Sequence, residues 1–240
     1  MADMGAFREA VIAWVAGGPG DRARELATRL PVRAAVLLEG PSDVAAVGAL
    51  AASRGRNLAA EGVCVLSMGG AMSVGRFARL LGPSGLGLRL TGLCDEAERG
   101  YYARGLERAN AAQPSAAQPS AAQPSAAQPS AAQPNAPRPH AAHPDPAQQR
   151  IFVCAVDLED ELIRALGVTR VEELVRAEGD LRALQTFLRQ PAQRGRSSQQ
   201  QLRRFLGTKK GRKIHYGRVL AEALDPARMP APLDGLLTSL

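Results

Sequence analysis

Four short apolar runs, alternating with helical segments, constrain the fold of this 240-residue chain more than any other feature. None of them shows the period-2 alternation of a half-exposed strand, which predicts strands buried on both faces. The runs are Ala34–Leu38, Val63–Ser67, Leu88–Leu93 and Ile151–Val156. Helical patterns follow the first three, at about 42–53, 72–81 and 96–109. This order predicts an α/β fold with a four-stranded parallel sheet flanked by helices and joined by right-handed crossovers.

The segments on either side of the sheet are predicted to be helical. Residues 1–30 show apolar residues at helical spacing around a Gly-Pro break and predict a helical hairpin. The sheet domain is expected to span 31–166, and residues 167–240 to form a basic helical region. Helices are predicted at about 158–166, 169–178, 180–189, 198–206 and 212–224. The Pro-interrupted tail after them is expected to lie on the surface.

A low-complexity insertion at 111–149 interrupts the sheet domain. The pentapeptide AAQPS occurs four times from Ala111 and is followed by AAQPN and a Pro/His-rich stretch. Regular proline and the near absence of bulky apolar residues predict a disordered spacer. Its role is left open, and a tolerated expansion in a loop is the favoured interpretation.

Composition favours a cytoplasmic protein. No apolar run approaches the ~18 residues of a membrane-spanning helix, and Asp3, Arg8 and Glu9 interrupt the apolar positions that a signal peptide would need. The three cysteines lie far apart without zinc spacing and are predicted to be buried thiols.

Charge is divided unevenly along the chain, although the formal net charge is +7. From Leu181 to Ala221 there are eleven Lys or Arg residues and no acidic residue. Taking these from the 30 basic residues leaves 19 against 23 acidic ones, a net of −4 elsewhere. All three lysines of the chain fall between Lys209 and Lys213. A basic segment on an acidic body predicts a polyanion partner, with nucleic acid ahead of a membrane surface.

Acidic residues follow three of the four predicted strands. They are Glu39 and Asp43, then Asp95, Glu96 and Glu98, and finally Asp157 and Glu159. The carboxyl ends of parallel strands lie along one edge, so these side chains are expected to converge there. Clustered carboxylates without His or Cys favour Mg²⁺ or Mn²⁺. The alternative for each single residue is an ordinary helix cap, with Ser42 expected to cap the first helix of the sheet domain.

These motifs resemble a known family. The segments LLEGPSD, GLCDEAE and FVCAVDLEDELI, in this order and each at a strand end, are similar to the Toprim domain of OLD (overcoming lysogenization defect) nucleases. The resemblance covers about Ala34–Leu166 without the repeat, and a weaker match includes KKGRKIHYGRVLAEAL. It implies a Rossmann-like Toprim fold that binds one or two Mg²⁺ or Mn²⁺ ions and cleaves DNA.

The resemblance also implies roles for individual residues. Glu39 would be a metal-associated acid/base residue, and Lys213, or failing that Lys210, would lie near the scissile phosphate. The implied metal ligands are Glu39, Asp43, Asp95, Asp157 and Glu159. The DNA backbone is expected to contact Arg203, Arg204, Lys209, Lys210 and Arg212.

Two departures from the family pattern leave alternatives open. The second motif is usually DxD, but Ala97 stands where its second Asp belongs, and Glu96 or Glu98 would have to substitute. No GxxxxGK[ST] loop occurs, so an ABC-type ATPase would be a separate subunit. A Toprim module that only binds DNA, a nucleotidyl transferase and an RNA-processing nuclease are the alternatives, and whether the chain forms an oligomer is left open.

Overall fold

The structure is a computed structural model that describes residues 3–111 and 150–240. Four strands form one parallel sheet in the order β2-β1-β3-β4. They are β1 (Ala34–Leu38), β2 (Val63–Ser67), β3 (Arg89–Asp95) and β4 (Arg150–Cys154). The predicted α/β sheet is confirmed, with β3 two residues longer at its carboxyl end than expected. The predicted AAQPS spacer lies outside the described residues.

Eleven α-helices surround the sheet in the described part of the chain. They are α1 (Met4–Val15), α2 (Asp21–Arg29), α3 (Pro41–Ser53), α4 (Val74–Leu81), α5 (Arg99–Ala111), α6 (Leu158–Leu166), α7 (Val168–Ala177), α8 (Leu181–Leu188), α9 (Ser198–Gly207), α10 (Lys210–Glu222) and α11 (Ala231–Ser239). Short 3₁₀ turns at Ala71–Ser73 and Glu96–Glu98 lead into α4 and α5. None of these helices has the length and apolar character needed to cross a bilayer.

Alternate residues of β1 pack into two cores on opposite sheet faces. Ala35 and Leu37 pack with α1, α2, α4 and α5. Ala34, Val36 and Leu38 pack with α3 and with helices of the C-terminal region. Full burial of all five residues explains why this strand shows no polar alternation.

The C-terminal tail differs from its prediction. Instead of lying on the surface, it forms α11, which packs on β3 and β4. Leu233, Leu236 and Leu237 are buried in the core of that sheet face. Their i, i+3, i+4 spacing is helical, and Pro230 and Pro232 fall at the start of the helix, where proline is tolerated.

The closest helix contact near the acidic edge joins α10 to the start of α3. A Cβ atom on Gly217 would lie 2.8 Å from the carbonyl oxygen of the buried Ser42. Only glycine permits this approach without a shift of one helix. The contact fixes α10 one turn beyond Lys213, and therefore fixes the height of that lysine above the sheet edge.

We expect Gly217→Ala to lower the free energy of unfolding by about 1–3 kcal/mol, because the methyl group overpacks a backbone contact. Urea denaturation measures the change. The matched control is Gly211→Ala in the same helix, where an added Cβ meets nothing within 4 Å. That control should be neutral or stabilising by up to about 1 kcal/mol. Equal effects of the two substitutions would show that the close approach is unimportant.

Candidate metal and phosphate site

Three adjacent strands deliver acidic residues to one edge of the sheet. Glu39 follows β1, Asp95 is the last residue of β3, and Asp157 is the N-cap of α6, three residues beyond the end of β4. Asp95 is in register with Cys154 of β4. Because β1, β3 and β4 are neighbours and parallel, their carboxyl ends share this edge.

Glu39, Asp95 and Glu98 form the tightest acidic group. Each offers a carboxylate oxygen, and these oxygens lie within 4.8 Å of one another. Burial raises the pKa of Asp95 to about 7, and the negative charges of Asp157 and Glu39 add to the shift. Burial also raises the pKa of Glu98 to about 7, together with its hydrogen bond to Glu39.

Glu98, rather than Glu96, joins this group. The Glu96 side chain is exposed and forms an ion pair with Arg99 at 3.6 Å. The 3₁₀ turn at Glu96–Glu98 instead directs Glu98 inward, and its Oε2 atom is buried without a hydrogen-bond partner in the described residues. Glu98 thus supplies a carboxylate beside the position of Ala97.

Asp43 is the second acid of the β1 turn and is held by it. Its Oδ2 accepts from the Gly40 amide at 2.8 Å, and its Oδ1 accepts from the Ser42 hydroxyl at 3.3 Å. Helix α3 therefore begins at Pro41 with Gly40 as its N-cap, and the prediction that Ser42 caps it is wrong. Ser42 is instead buried against Gly217. Burial raises the pKa of Asp43 despite the Gly40 hydrogen bond.

Glu159 and Lys213 form a second, more buried part of the site. Glu159 is only 3% exposed, and its Oε2 lies 3.4 Å from Lys213 Nζ. Its Oε1 is buried without a hydrogen-bond partner in the described part of the chain. Burial raises the pKa of Glu159 to about 7, although Lys213 opposes the shift. Burial also disfavours the charge on Lys213, but Glu159 and Asp43 outweigh it and raise the pKa of the lysine.

Asp157 uses both carboxylate oxygens. Oδ1 caps α6 by accepting from the Asp160 amide at 2.8 Å. Oδ2 accepts from Arg203 Nε of α9. Asp160 is partly buried, and its Oδ1 accepts from Gln199 Nε2 at 2.7 Å. Two acids at the start of α6 are thus tied to α9.

A cleft of about 480 Å³ opens beside the buried acids. Its lining residues are Asp157, Glu159, Phe187, Arg203, Arg204, Gly207, Thr208 and Lys213. The cleft is lined by two carboxylates and three basic groups, a combination that suits a phosphate group bound next to a cation. Sequence reasoning did not identify Phe187, Gly207 and Thr208, which carry no charge pattern to mark them.

The other residues predicted to contact the DNA backbone are Lys209, Lys210 and Arg212. Lys209 is exposed and lines an adjoining cleft of about 430 Å³. Arg212 is only 11% exposed, forms an ion pair with Asp180 and stacks over Phe205 at 4.2 Å. Its guanidinium is thus held by contacts within the protein, and its side chain lines the same adjoining cleft as Lys209. The side chain of Lys210 lies outside the described part of the structure.

The donor set fits a hard divalent cation. Every acidic group at the edge offers oxygen, and two buried carboxylate oxygens, Glu98 Oε2 and Glu159 Oε1, have no hydrogen-bond partner in the described residues. Buried carboxylates without partners are costly, and a cation relieves this cost. The raised pKa values of Asp95, Glu98 and Glu159 reflect first the burial of these carboxylates and then their mutual repulsion.

The raised pKa values of these acids predict how the free energy of unfolding depends on pH when metal is removed with EDTA. Asp95, Glu98 and Glu159 lose their protons at about pH 4 in the unfolded chain but at about 7 in the folded protein. Between these values the folded state binds more protons, so their contribution to the free energy of unfolding should fall as pH rises and level off above about 7.

Urea denaturation from pH 4.5 to 8, at steps of about half a pH unit, tests this expectation. Asp95→Asn should flatten the fall, because it removes one titrating group and weakens the repulsion on its neighbours. The exposed Glu96→Gln is the matched control and should keep the wild-type slope. If the free energy of unfolding of Asp95→Asn falls with pH as steeply as that of the wild type, the raised pKa values are not the cause of the fall.

Comparisons with known proteins agree with this arrangement. Residues 32–96 match the family profile "Overcoming lysogenization defect protein-like, TOPRIM domain". No curated protein matches the chain. The fold is similar to the C-terminal region of the Xanthomonas campestris pv. campestris OLD protein, with 21% identity, a TM-score of 0.57, and coverage of 87% of this chain and 91% of that one. It is also similar to the C-terminal region of the Burkholderia pseudomallei OLD protein, with 19% identity, a TM-score of 0.55, and coverage of 86% and 96%. Residues 32–96 are therefore similar to an OLD-like Toprim domain, and the fold is that of the C-terminal regions of OLD proteins.

Proposed function

We propose that this protein is a metal-dependent DNA endonuclease that hydrolyses phosphodiester bonds. The observation that carries the proposal is the convergence of acids from three adjacent strand ends beside a cleft lined by Arg203, Arg204 and Lys213. The Toprim domain is a metal-binding fold of nuclease and primase type, and the match at 32–96 includes Glu39, Asp43 and Asp95.

The acidic groups have distinct tasks in this proposal. Glu39, Asp95 and Glu98 hold one Mg²⁺ or Mn²⁺ ion, with Asp43 beside them. Asp157 and Glu159 are the ligands for a second ion where two are bound. An ion held by these residues would supply an activated water as the nucleophile and would stabilise the leaving oxygen. Glu39 also acts as the acid/base residue.

The basic groups bind the substrate. Lys213 faces the cleft from α10 and neutralises charge at the scissile phosphate, while it balances Glu159 in the absence of substrate. Arg204 is exposed on the cleft wall and binds the phosphate backbone. Lys209 extends this basic surface into the adjoining cleft. Backbone contacts of this type give affinity without sequence specificity.

ATP dependence, if present, comes from outside these 240 residues, which contain no GxxxxGK[ST] loop. A separate ABC-type ATPase subunit remains part of the proposal. The cytoplasmic location and the oligomeric state stay predictions.

A DNA-binding module without catalysis is the second candidate, and Ala97 is the observation that favours it. The inward position of Glu98 weighs against it, because this side chain supplies a carboxylate oxygen to the acidic group.

Metal binding separates the two candidates. We expect the wild-type protein to bind Mn²⁺ in calorimetric titration with a dissociation constant below about 1 mM, as oxygen-rich sites of this charge do. Glu98→Gln should weaken binding at least tenfold, because it removes one of the three clustered carboxylates, whereas Glu96→Gln should not. No heat of binding at millimolar Mn²⁺ would favour the module.

Nicking of supercoiled plasmid with Mg²⁺ or Mn²⁺ tests catalysis directly. Glu39→Gln and Asp95→Asn should each abolish cleavage, because both remove a charge from the metal site, while circular dichroism should show an intact fold. Glu96→Gln should cleave as the wild type does. Cleavage retained in both site variants would overturn the proposal. Single-stranded DNA and structured RNA in the same assay would separate DNA cleavage from RNA processing.

A further inference from the structure

The contact between Arg203 and Asp157 is the starting point for an inference that rests on the proposed function. Asp157 is one of the proposed ligands, but its Oδ2 is bonded to Arg203 Nε and its Oδ1 caps α6. Both side chains line the 480 Å³ cleft. A proposed ligand is thus paired with a proposed phosphate-binding residue.

This ion pair is open enough to be exchanged. The Arg203 side chain is 39% exposed and that of Asp157 is 15% exposed. Ion pairs with this degree of exposure are weak because water competes for both charges. In the described residues, the hydrogen bonds of the Arg203 side chain are confined to Asp157.

The ion pair between Arg212 and Asp180, in contrast, is held by additional contacts. Arg212 stacks on Phe205, donates to Thr208 at 2.8 Å and is largely buried. Several contacts fix this guanidinium in place. Arg203 lacks such supports, although α9 itself is anchored one turn earlier by the hydrogen bond from Gln199 to Asp160. Breaking the Arg203 contact would therefore leave the helix in position.

The charge balance at the acids would favour release of Arg203 from Asp157 when a cation binds. Without a divalent cation, the guanidinium neutralises an acid that faces other acids, including Asp95. With a cation at the acids, a second positive charge at Asp157 is no longer needed. The guanidinium then lies beside Arg204 and Lys213 in a cleft suited to phosphate.

We propose that Arg203 is an exchangeable counter-charge that holds Asp157 in the metal-free protein and contacts the DNA phosphate only when a divalent cation is bound. Arg203 is in this sense a positioning residue that couples the two binding events. By linkage, metal strengthens DNA binding and DNA strengthens metal binding by the same factor.

The salt dependence of DNA binding tests the exchange. Fluorescence anisotropy of a labelled DNA duplex is measured against NaCl concentration, once with EDTA and once with Ca²⁺ as the cation. The wild-type slope of log affinity against log salt should steepen with Ca²⁺, and about one phosphate contact of this steepening should come from Arg203. Arg203→Ala should therefore steepen by about one contact less than the wild type. Arg204→Ala should lose about one contact in both conditions and keep the steepening.

Calorimetric titration with Mn²⁺ provides a second readout without DNA. Arg203→Ala should bind Mn²⁺ about threefold to tenfold tighter than the wild type, because a competing partner of Asp157 is gone. Arg204→Ala removes an equal charge from the same cleft but no bond to Asp157, and should change affinity less. Arg203→Gln, which keeps most of the side-chain stem, replaces the alanine variant if that variant does not fold.

The outcomes separate this inference from the proposed function. Unchanged or weaker Mn²⁺ binding by Arg203→Ala, or a steepening with Ca²⁺ as large as that of the wild type, overturns the exchange while leaving the nuclease proposal intact. Equal tightening by Arg204→Ala attributes the effect to general charge and also overturns the exchange. No Mn²⁺ binding by the wild-type protein overturns the metal site itself, and the exchange with it.

Discussion

Mutual repulsion among carboxylates at the sheet edge is the constraint on which the rest of the site depends. A parallel sheet places the ends of β1, β3 and β4 side by side, and the acids that follow them cannot spread apart. The protein limits this repulsion with protons, with Lys213 and Arg203, and with the Gly40 amide. A divalent cation bound at these acids would reduce the same repulsion, so a cluster that is unfavourable by itself would favour cation binding.

The convergence of the acids at one sheet edge was predictable from sequence, because it follows for any order of the strands in a parallel sheet. Four buried apolar runs with acids behind three of them specify a parallel sheet and one acidic edge. The choice between Glu96 and Glu98 was not predictable. It depends on a 3₁₀ turn that directs Glu98 inward and leaves Glu96 beside Arg99. These two glutamates lie on either side of Ala97 in one turn and differ only in the direction of their side chains, which is set by tertiary packing.

Partners that are distant in sequence were the harder part. Arg203 and Arg212 look alike in an arginine-rich segment, but one meets Asp157 and the other meets Asp180 and Phe205. Periodicity reports which face of a helix is buried, not which charge lies opposite. The same limit applies to Gly217, whose importance follows from Ser42 lying across the helix contact. The α11 helix is different, since its leucine spacing was readable and the prolines that argued against it mark its beginning.

The position of the repeat insertion follows from the same topology. Helix α5 ends at Ala111 and β4 begins at Arg150, so both ends of the insertion connect to the edge of the sheet opposite the acids. Additional residues there lengthen a crossover without moving the carboxyl ends of β3 and β4. By contrast, the connection from β4 to α6 has only three residues between Cys154 and Leu158, and one of them is Asp157. A change of length at that point would displace Asp157 and Glu159 from the cleft together. The chain thus tolerates changes of connection length at the sheet edge opposite the acids but not at the acidic edge, as expected when one sheet edge carries the chemistry.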